Sequence, residues 1–349
     1  MLYSYQYERH PLRKLHVWVC AFLRTLRYGN PDPQGLDIEV CCGGELLERA
    51  RLGAILRQRL SEFYNAWLTL TEEERDAVYR AFIQVNSVQK QLESVAPRVT
   101  LADLPQAIRQ PTYNLFSHLY DSCLVRAQVK EHWKAAYERL PFKECPFCGI
   151  EPLHHPAIFK QDYDHLLSKA TYPFASVNLR NLVPCGRDCN SIFKQGKDLI
   201  FSEGNRRKAF YPFHDYGVQL QLSLEGSRLP SDGDDPGAWH IEFTPDIEEV
   251  RTWIEVFELE RRYQFDVFGA HYTRWIADFV DWVGGQATPE GGWVGEAVLA
   301  RMETYRDLLE TDRIRDRRFL KHALFDFIIS TNDQALFRAI AAQLNSRNN

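Results

Sequence analysis

The chain has 349 residues, 45% of them hydrophobic and 26% charged, which is long enough for about two domains and too apolar for wholesale disorder. No stretch approaches the roughly 18–20 uninterrupted apolar residues of a membrane span, and the first ten residues lack the apolar core and cleavage site of a signal peptide. The formal net charge of −5 excludes a protein coated in basic residues, although residues 140–215 hold ten basic and eight acidic side chains, +2 locally against −7 elsewhere.

The elements read in chain order as follows. Over residues 45–60 apolar positions recur at steps of three and four, which predicts one amphipathic helix. Thr71-Glu-Glu-Glu74 predicts a capping box, opening a helix that carries Ala77, Val78, Ala81, Phe82 and Val85. Pro111 is expected to open a helix running to about Arg139, with Leu115, Leu119 and Cys123 on one stripe and Pro141 beyond its end. Residues 1–139 therefore read as a helical region of three or four packed helices. Over 140–215 the texture changes to loops, glycines, paired cysteines and polar clusters. Segments 218–224 and 239–243 alternate with period two and predict the strands of a short hairpin extension, 216–245, joined by the acidic Gly/Pro-rich loop 231–237. From Asp246 the helical period returns, with Ile247, Val250, Ile254 and Phe257 on one stripe and further patterns around 265–284, 292–311, 316–329 and 333–345. The expected class is α+β, mostly helical, with a C-terminal helical region over 246–349.

Eight cysteines in a chain expected to be cytoplasmic favour metal binding or packing over disulfides. Cys145-Pro-Phe-Cys148-Gly149 is half of a zinc knuckle, two thiolates followed by a glycine where the chain must turn sharply. Cys185-Gly-Arg-Asp-Cys189 supplies a second pair. Four thiolates suit tetrahedral zinc, and a closed sulfur shell leaves no position for substrate, so the expected role is structural. His154 and His155 stand near the first pair but are not needed to complete four ligands. Cys20, Cys41, Cys42 and Cys123 read as packing residues.

Between and beyond the cysteine pairs lie Asp162-Tyr-Asp164-His165, Tyr172-Pro173, Asn178-Leu-Arg-Asn181-Leu-Val-Pro184-Cys185 and Cys189-Asn190 followed by Lys194. This stretch, about 70 of the 349 residues, resembles the HNH nucleases, also called ββα-metal or His-Me finger nucleases. The resemblance implies a hairpin and a helix crossed over one divalent ion, here the zinc-tied core of the α+β fold. His165 would be the general base, since a neutral imidazole accepts a proton near pH 7. Asp164 and Asn190 would supply oxygen ligands to Mg²⁺ or Mn²⁺, a sparse hard shell completed by water and phosphate oxygens. Asn181 matches the Asn that braces the loop carrying the base. The last motif position is Asn190 rather than the founding motif's His, a common substitution in the family. Asp162 reads equally as an acid supporting the site or as solvated.

Lys194, Lys197 and Arg187, on or beside the expected helix, and the run Arg206-Arg207-Lys208 are candidate phosphate contacts, with a solvated surface as the plain alternative. The implied activity is hydrolysis of nucleic acid, DNA ahead of RNA, leaving 5′-phosphate and 3′-hydroxyl ends. The wording of this core is also similar to nucleases of bacterial anti-phage systems, some paired with an ATPase, so a regulatory protein partner and oligomerisation are expected alongside it. Two rivals stand: a zinc-stabilised module that binds nucleic acid without cutting it, and a toxin nuclease directed at RNA through the same site.

Overall fold

A computed structural model describes residues 2–124, 126–158, 163–230, 235 and 237–347. The chain divides into two compact units, one formed essentially by residues 3–147 and 152–216, the other by 148–151 and 217–349. The described residues are mostly helical, with three small two-stranded antiparallel sheets. None of their helices is long and apolar enough to cross a membrane.

In the first unit the leading helices are Lys14–Tyr28, Gly44–Leu52, Ala54–Leu68, Glu72–Asn86, Gln106–His118 and Arg126–Arg139. The helix expected over 45–60 is two helices, because Gly53 takes an extended conformation (φ −105°, ψ 104°) and serves as end cap of one and start cap of the next. The Thr71–Glu74 capping box forms as expected, its hydroxyl accepting from the Glu74 N–H and the Glu74 carboxylate from the Thr71 N–H. Val78, Ala81, Phe82 and Val85 are buried, whereas Ala77 faces solvent. Pro111 lies inside the helix Gln106–His118 instead of opening it, and the run expected to reach Arg139 is interrupted by a π-helical turn, Leu119–Cys123.

The core of this unit joins the N-terminal helices to the motif region. Phe174, from the short 3₁₀ turn Pro173–Ala175, sits edge-on to Phe82 (5.5 Å between ring centres) and to Phe116 (5.1 Å). Ser176 Oγ donates to Phe116 O at 2.8 Å, and Asn86 Nδ2 donates to Phe174 O at 3.1 Å. Burying one such phenyl ring contributes roughly 1.5–3 kcal/mol, so the helices of residues 1–139 form part of the scaffold on which the motif loop rests.

In the second unit a hairpin pairs Gln221–Ser223 with Glu242–Thr244, Leu222 lying opposite Phe243. Both strands are shorter than the expected 218–224 and 239–243. Within the loop expected over 231–237, residues 231–234 and 236 lie outside the described residues. Helices Glu248–Phe257, Ala270–Gly284, Gly295–Leu309, Arg318–Thr331 and Gln334–Arg347 follow, close to their expected bounds. Phe279, Tyr305 and Phe325 make mutual ring contacts at 5.0–5.6 Å in their core.

Candidate functional site

Strand β1 (Tyr163–His165) pairs antiparallel with strand β2 (Leu182–Pro184), Asp164 opposite Val183 and His165 opposite Leu182. A short π-helical segment, Cys189–Lys194, follows β2. Because alternate strand positions face opposite sides, adjacent Asp164 and His165 are aimed apart by the strand itself. Tyr163 and Leu182 pack with Leu12, Val129, Trp133 and Leu179 into a buried cluster that seats the hairpin. Asn190, on the short helix, is half-buried, and its Nδ2 donates to Tyr163 O at 3.4 Å. Asp162 lies outside the described residues.

The loop between the strands is latched by Asn181, which is fully buried. Its Oδ1 accepts from Leu167 N–H at 2.8 Å, and its Nδ2 donates to Leu167 O at 3.0 Å and Ala175 O at 3.2 Å. Leu167 is two residues past His165, and Ala175 precedes Ser176, whose carbonyl holds the His165 ring. Asn181 therefore fixes both shoulders of that histidine. Asn181→Ala is expected to cost about 2–4 kcal/mol in urea unfolding, since three buried backbone groups lose their partner; a loss below about 1 kcal/mol would show that the loop is held by other contacts.

His165 Nε2 lies 3.2 Å from Ser176 O. A carbonyl only accepts, so Nε2 carries the proton and the Nδ1 lone pair remains as the basic position. Tyr120 packs edge-on against the ring at 4.4 Å between centres. Burial, and then the nearby Lys194 ammonium, lower the His165 pKa to about 3, which keeps the imidazole neutral at physiological pH.

Asp164 is 2% exposed, and both of its carboxylate oxygens accept from Lys194 Nζ, at 2.6 and 2.8 Å. Lys194 also donates to the carbonyl of His165. A side chain expected to reach phosphate from a helix surface is thus buried, because a desolvated carboxylate beside it demands a partner. Arg206 likewise turns inward, its guanidinium donating to Gln91 O at 2.6 Å and to Gln91 Oε1 and Ala96 O at 3.0–3.1 Å. Arg207 is 9% exposed and donates to Asp198 O at 2.5 Å. Of the six expected phosphate contacts, Arg187, Lys197 and Lys208 are exposed.

Cys145, Cys148 and Cys189 are buried with their sulfur atoms all within 4.8 Å of one another, a cluster that could hold a metal ion such as zinc. Two of them, Cys145 and Cys189, have Sγ atoms 3.8 Å apart. That spacing matches the edge of about 3.8 Å that a tetrahedron of Zn–S bonds near 2.3 Å requires. Cys185 is buried too but falls outside this group of three, and its Sγ lies 3.4 Å from Gly186 O. The next backbone N–H, of Gly186, donates to Cys145 Sγ at 3.2 Å. The glycine after the knuckle is needed where it stands: Gly149 has φ +68°, and a Cβ there would come within 2.3 Å of Leu2 Cδ1. His154 and His155 are exposed. Cys41, Cys42 and Cys123 are buried as packing residues, and Cys20 is half-buried beside His16.

The tyrosines of the N-terminal segment escaped sequence reasoning. Tyr5 Oη donates to the carbonyl of Pro184 at the end of β2, and Tyr3 Oη to the carbonyl of Glu144 just before the knuckle. Tyr7 stacks under the Arg180 guanidinium, 4.6 Å from its ring centre. The alternation Tyr3-Ser-Tyr5-Gln-Tyr7 is the one signal that marked this segment as extended and one-sided.

No protein-family model, no curated protein and no solved structure matches the chain.

Proposed function

We propose that this protein is a metal-dependent HNH-type endonuclease that hydrolyses phosphodiester bonds in nucleic acid, DNA ahead of RNA. One observation carries the reading: Asp164 and His165 stand side by side on β1, and the Asn190 amide reaches the backbone of that same strand at Tyr163. In this reading His165 takes a proton from the attacking water at Nδ1 while its Nε2–H stays bonded to Ser176 O. The donor set fits a hard divalent ion, with Asp164 and Asn190 as the oxygen ligands. Bound there, Mg²⁺ or Mn²⁺ would supply positive charge against the phosphate and the departing oxygen. The structural ion is zinc held by Cys145, Cys148, Cys189 and, as fourth thiolate, Cys185. The likeness of the core's wording to anti-phage nucleases extends the proposal to a defence effector working with a regulatory partner.

The deciding experiment incubates the purified protein with duplex DNA, single-stranded DNA and total RNA, with and without Mg²⁺ or Mn²⁺. Divalent-dependent shortening of at least one substrate is the expected result. Intact substrates throughout would leave the rival reading, a module that binds without cutting.

That rival has one observation in its favour, since the Lys194 ammonium engages both Asp164 oxygens. Lys194→Met separates the two. Removing the ammonium leaves a buried unpaired carboxylate, expected to cost about 3–5 kcal/mol. If Asp164 is a divalent ligand, added Mg²⁺ recovers much of that loss and raises the melting temperature more in the variant than in the parent. Equal, small Mg²⁺ effects on both proteins would remove Asp164 from the ligand set.

A further inference from the structure

One cavity of the first unit is lined by residues outside the motif. It encloses about 800 Å³ and is lined by Arg9, His10, Arg13, Lys14, Trp18 and Gln128, among others. Among the described side chains, no acidic one lines it. Arg9, Arg13 and Lys14 are exposed, and none of the three is ion-paired among the described residues. In a chain of net charge −5 this is not background: between Glu8 and Asp32 there are five basic residues and no acidic one. The start of the helix Lys14–Tyr28 has no acidic residue in its first turn, so its partial positive charge adds to that of the side chains.

The wall also holds an aromatic ring packed on backbone. Trp18 rests on the turn at Gly43 and Gly44, where an added Cβ would come within 3.1 Å of the indole at the first and 2.2 Å at the second. Gly44 has φ +47°, so bare backbone is what lets the ring lie so close. Cations without an ion-pair partner among the described residues, beside an indole packed on bare backbone, are the apparatus that tracks a phosphate backbone and stacks a base.

Its position links it to the candidate nuclease site. Leu12, between cavity residues Pro11 and Arg13, is 2% exposed and packs in the cluster containing Tyr163 and Leu182. Tyr163 precedes Asp164 on β1, and Leu182 is the partner of His165 across the hairpin. The 3₁₀ turn Pro11–Arg13 is therefore anchored on the hairpin by its one buried side chain, Leu12, and offers Arg13 to the cavity.

We infer that this cavity is a binding site for a nucleic-acid strand, Arg9, Arg13 and Lys14 contacting consecutive phosphates and Trp18 stacking a base. The inference rests on the nuclease reading for its purpose, because it supplies a hold on the substrate from a turn that packs, through Leu12, on the hairpin carrying His165. With Arg206, Arg207 and Lys194 committed to the interior, it adds cations to the exposed Arg187, Lys197 and Lys208 of the motif region.

The test uses the full chain carrying His165→Ala, so that bound strands stay intact, and a fluorescently labelled 20-nucleotide single strand. Anisotropy titrations are run over a series of KCl concentrations for this protein and for versions adding Arg13→Gln with Lys14→Gln, or Trp18→Phe. The double substitution should weaken binding by at least about tenfold and flatten the slope of log affinity against log salt by about 1.4, roughly 0.7 per lost contact on a single strand. Trp18→Phe should weaken binding several-fold and remove part of the tryptophan quenching that accompanies it. The exposed positions of Arg13 and Lys14 leave folding intact, which circular dichroism verifies. Affinity and salt slope unchanged by the double substitution would overturn the inference, as would inorganic phosphate competing as well as the strand at equal phosphate concentration. Cleavage by the His165-containing protein is scored separately. Tight binding lost on substitution but with no cleavage would sink the nuclease reading and keep the cavity; cleavage with unaltered binding would do the reverse.

Discussion

His165→Ala is expected to abolish divalent-dependent cleavage, a fall of about 10²–10⁴-fold, while the protein stays folded. The choice of residue matters. Asp164 is a poor test, since its removal strands the buried Lys194 ammonium, and a loss of activity would be confused with a loss of structure. His165 makes one side-chain hydrogen bond, to Ser176 O, and an edge contact with Tyr120, so truncation should cost no more than about 1–3 kcal/mol of stability. The pH profile gives a second readout. A free histidine changes charge near pH 6.5, and protonation would remove its capacity as a base. Burial and the Lys194 ammonium hold the His165 pKa down at about 3, so the base stays neutral well below pH 6. On the proposed nuclease reading, the cleavage rate should therefore show no acid limb at pH 6–6.5. A limb there would mean that the His165 ring becomes hydrated, and the Lys194 ammonium is drawn away, when the active state forms; undiminished cleavage by His165→Ala would remove this residue from the mechanism altogether.

The second large effect concerns the cysteines. Purified protein should contain about one zinc per chain, and Cys189→Ser should lose both that zinc and a large share of its stability. Structural zinc sites in small peptides contribute about 10–16 kcal/mol of apparent binding energy, so a loss above about 5 kcal/mol is expected here. On the proposed nuclease reading, cleavage should fail along with the fold, because Cys189 is chained directly to Asn190 and a displacement of about 1 Å at a ligand to the reacting centre costs on the order of 100-fold. Cys185→Ser then counts the ligands. Loss of zinc makes Cys185 the fourth thiolate; retention of zinc with an unchanged melting temperature confines the sulfur ligands to Cys145, Cys148 and Cys189, the three that lie within 4.8 Å of one another. A metal-free protein with an unaltered melting temperature would rule out a structural ion.

How much of this was legible before the fold was known differs from residue to residue. The HNH resemblance implied a hairpin carrying Asp164 and His165 and a helix starting at Asn190, and the chain has a two-stranded hairpin, 163–165 with 182–184, followed by the short segment Cys189–Lys194; which residues pair with β1 was not read from the sequence. The bracing role expected of Asn181 corresponds to three buried side-chain hydrogen bonds. The basic residues were harder. Arg206-Arg207 is the densest cationic run near the motif, yet those guanidiniums satisfy backbone carbonyls at Gln91, Ala96 and Asp198. The cations left exposed around a cavity are Arg9, Arg13 and Lys14, in a stretch that shows no motif. A sequence displays charge but not the acceptors that will surround it.

The features that the amino-acid order determined by itself are those whose cause lies within a few residues. The Thr71–Glu74 box supplies its own donors and acceptors, Gly149 alone tolerates its positive φ, and two thiols three residues apart can reach one ion. Only the tertiary structure decided which distant groups meet. Phe174 fits between Phe82 and Phe116, Lys194 closes on Asp164, and Tyr5 reaches the end of β2 from the other end of the motif unit. Each of those contacts joins side chains brought out of water together, and desolvation has no partner preference until packing supplies one. Hydrophobic periodicity sets which face of an element is buried; the shape of the surrounding core sets what it is buried against.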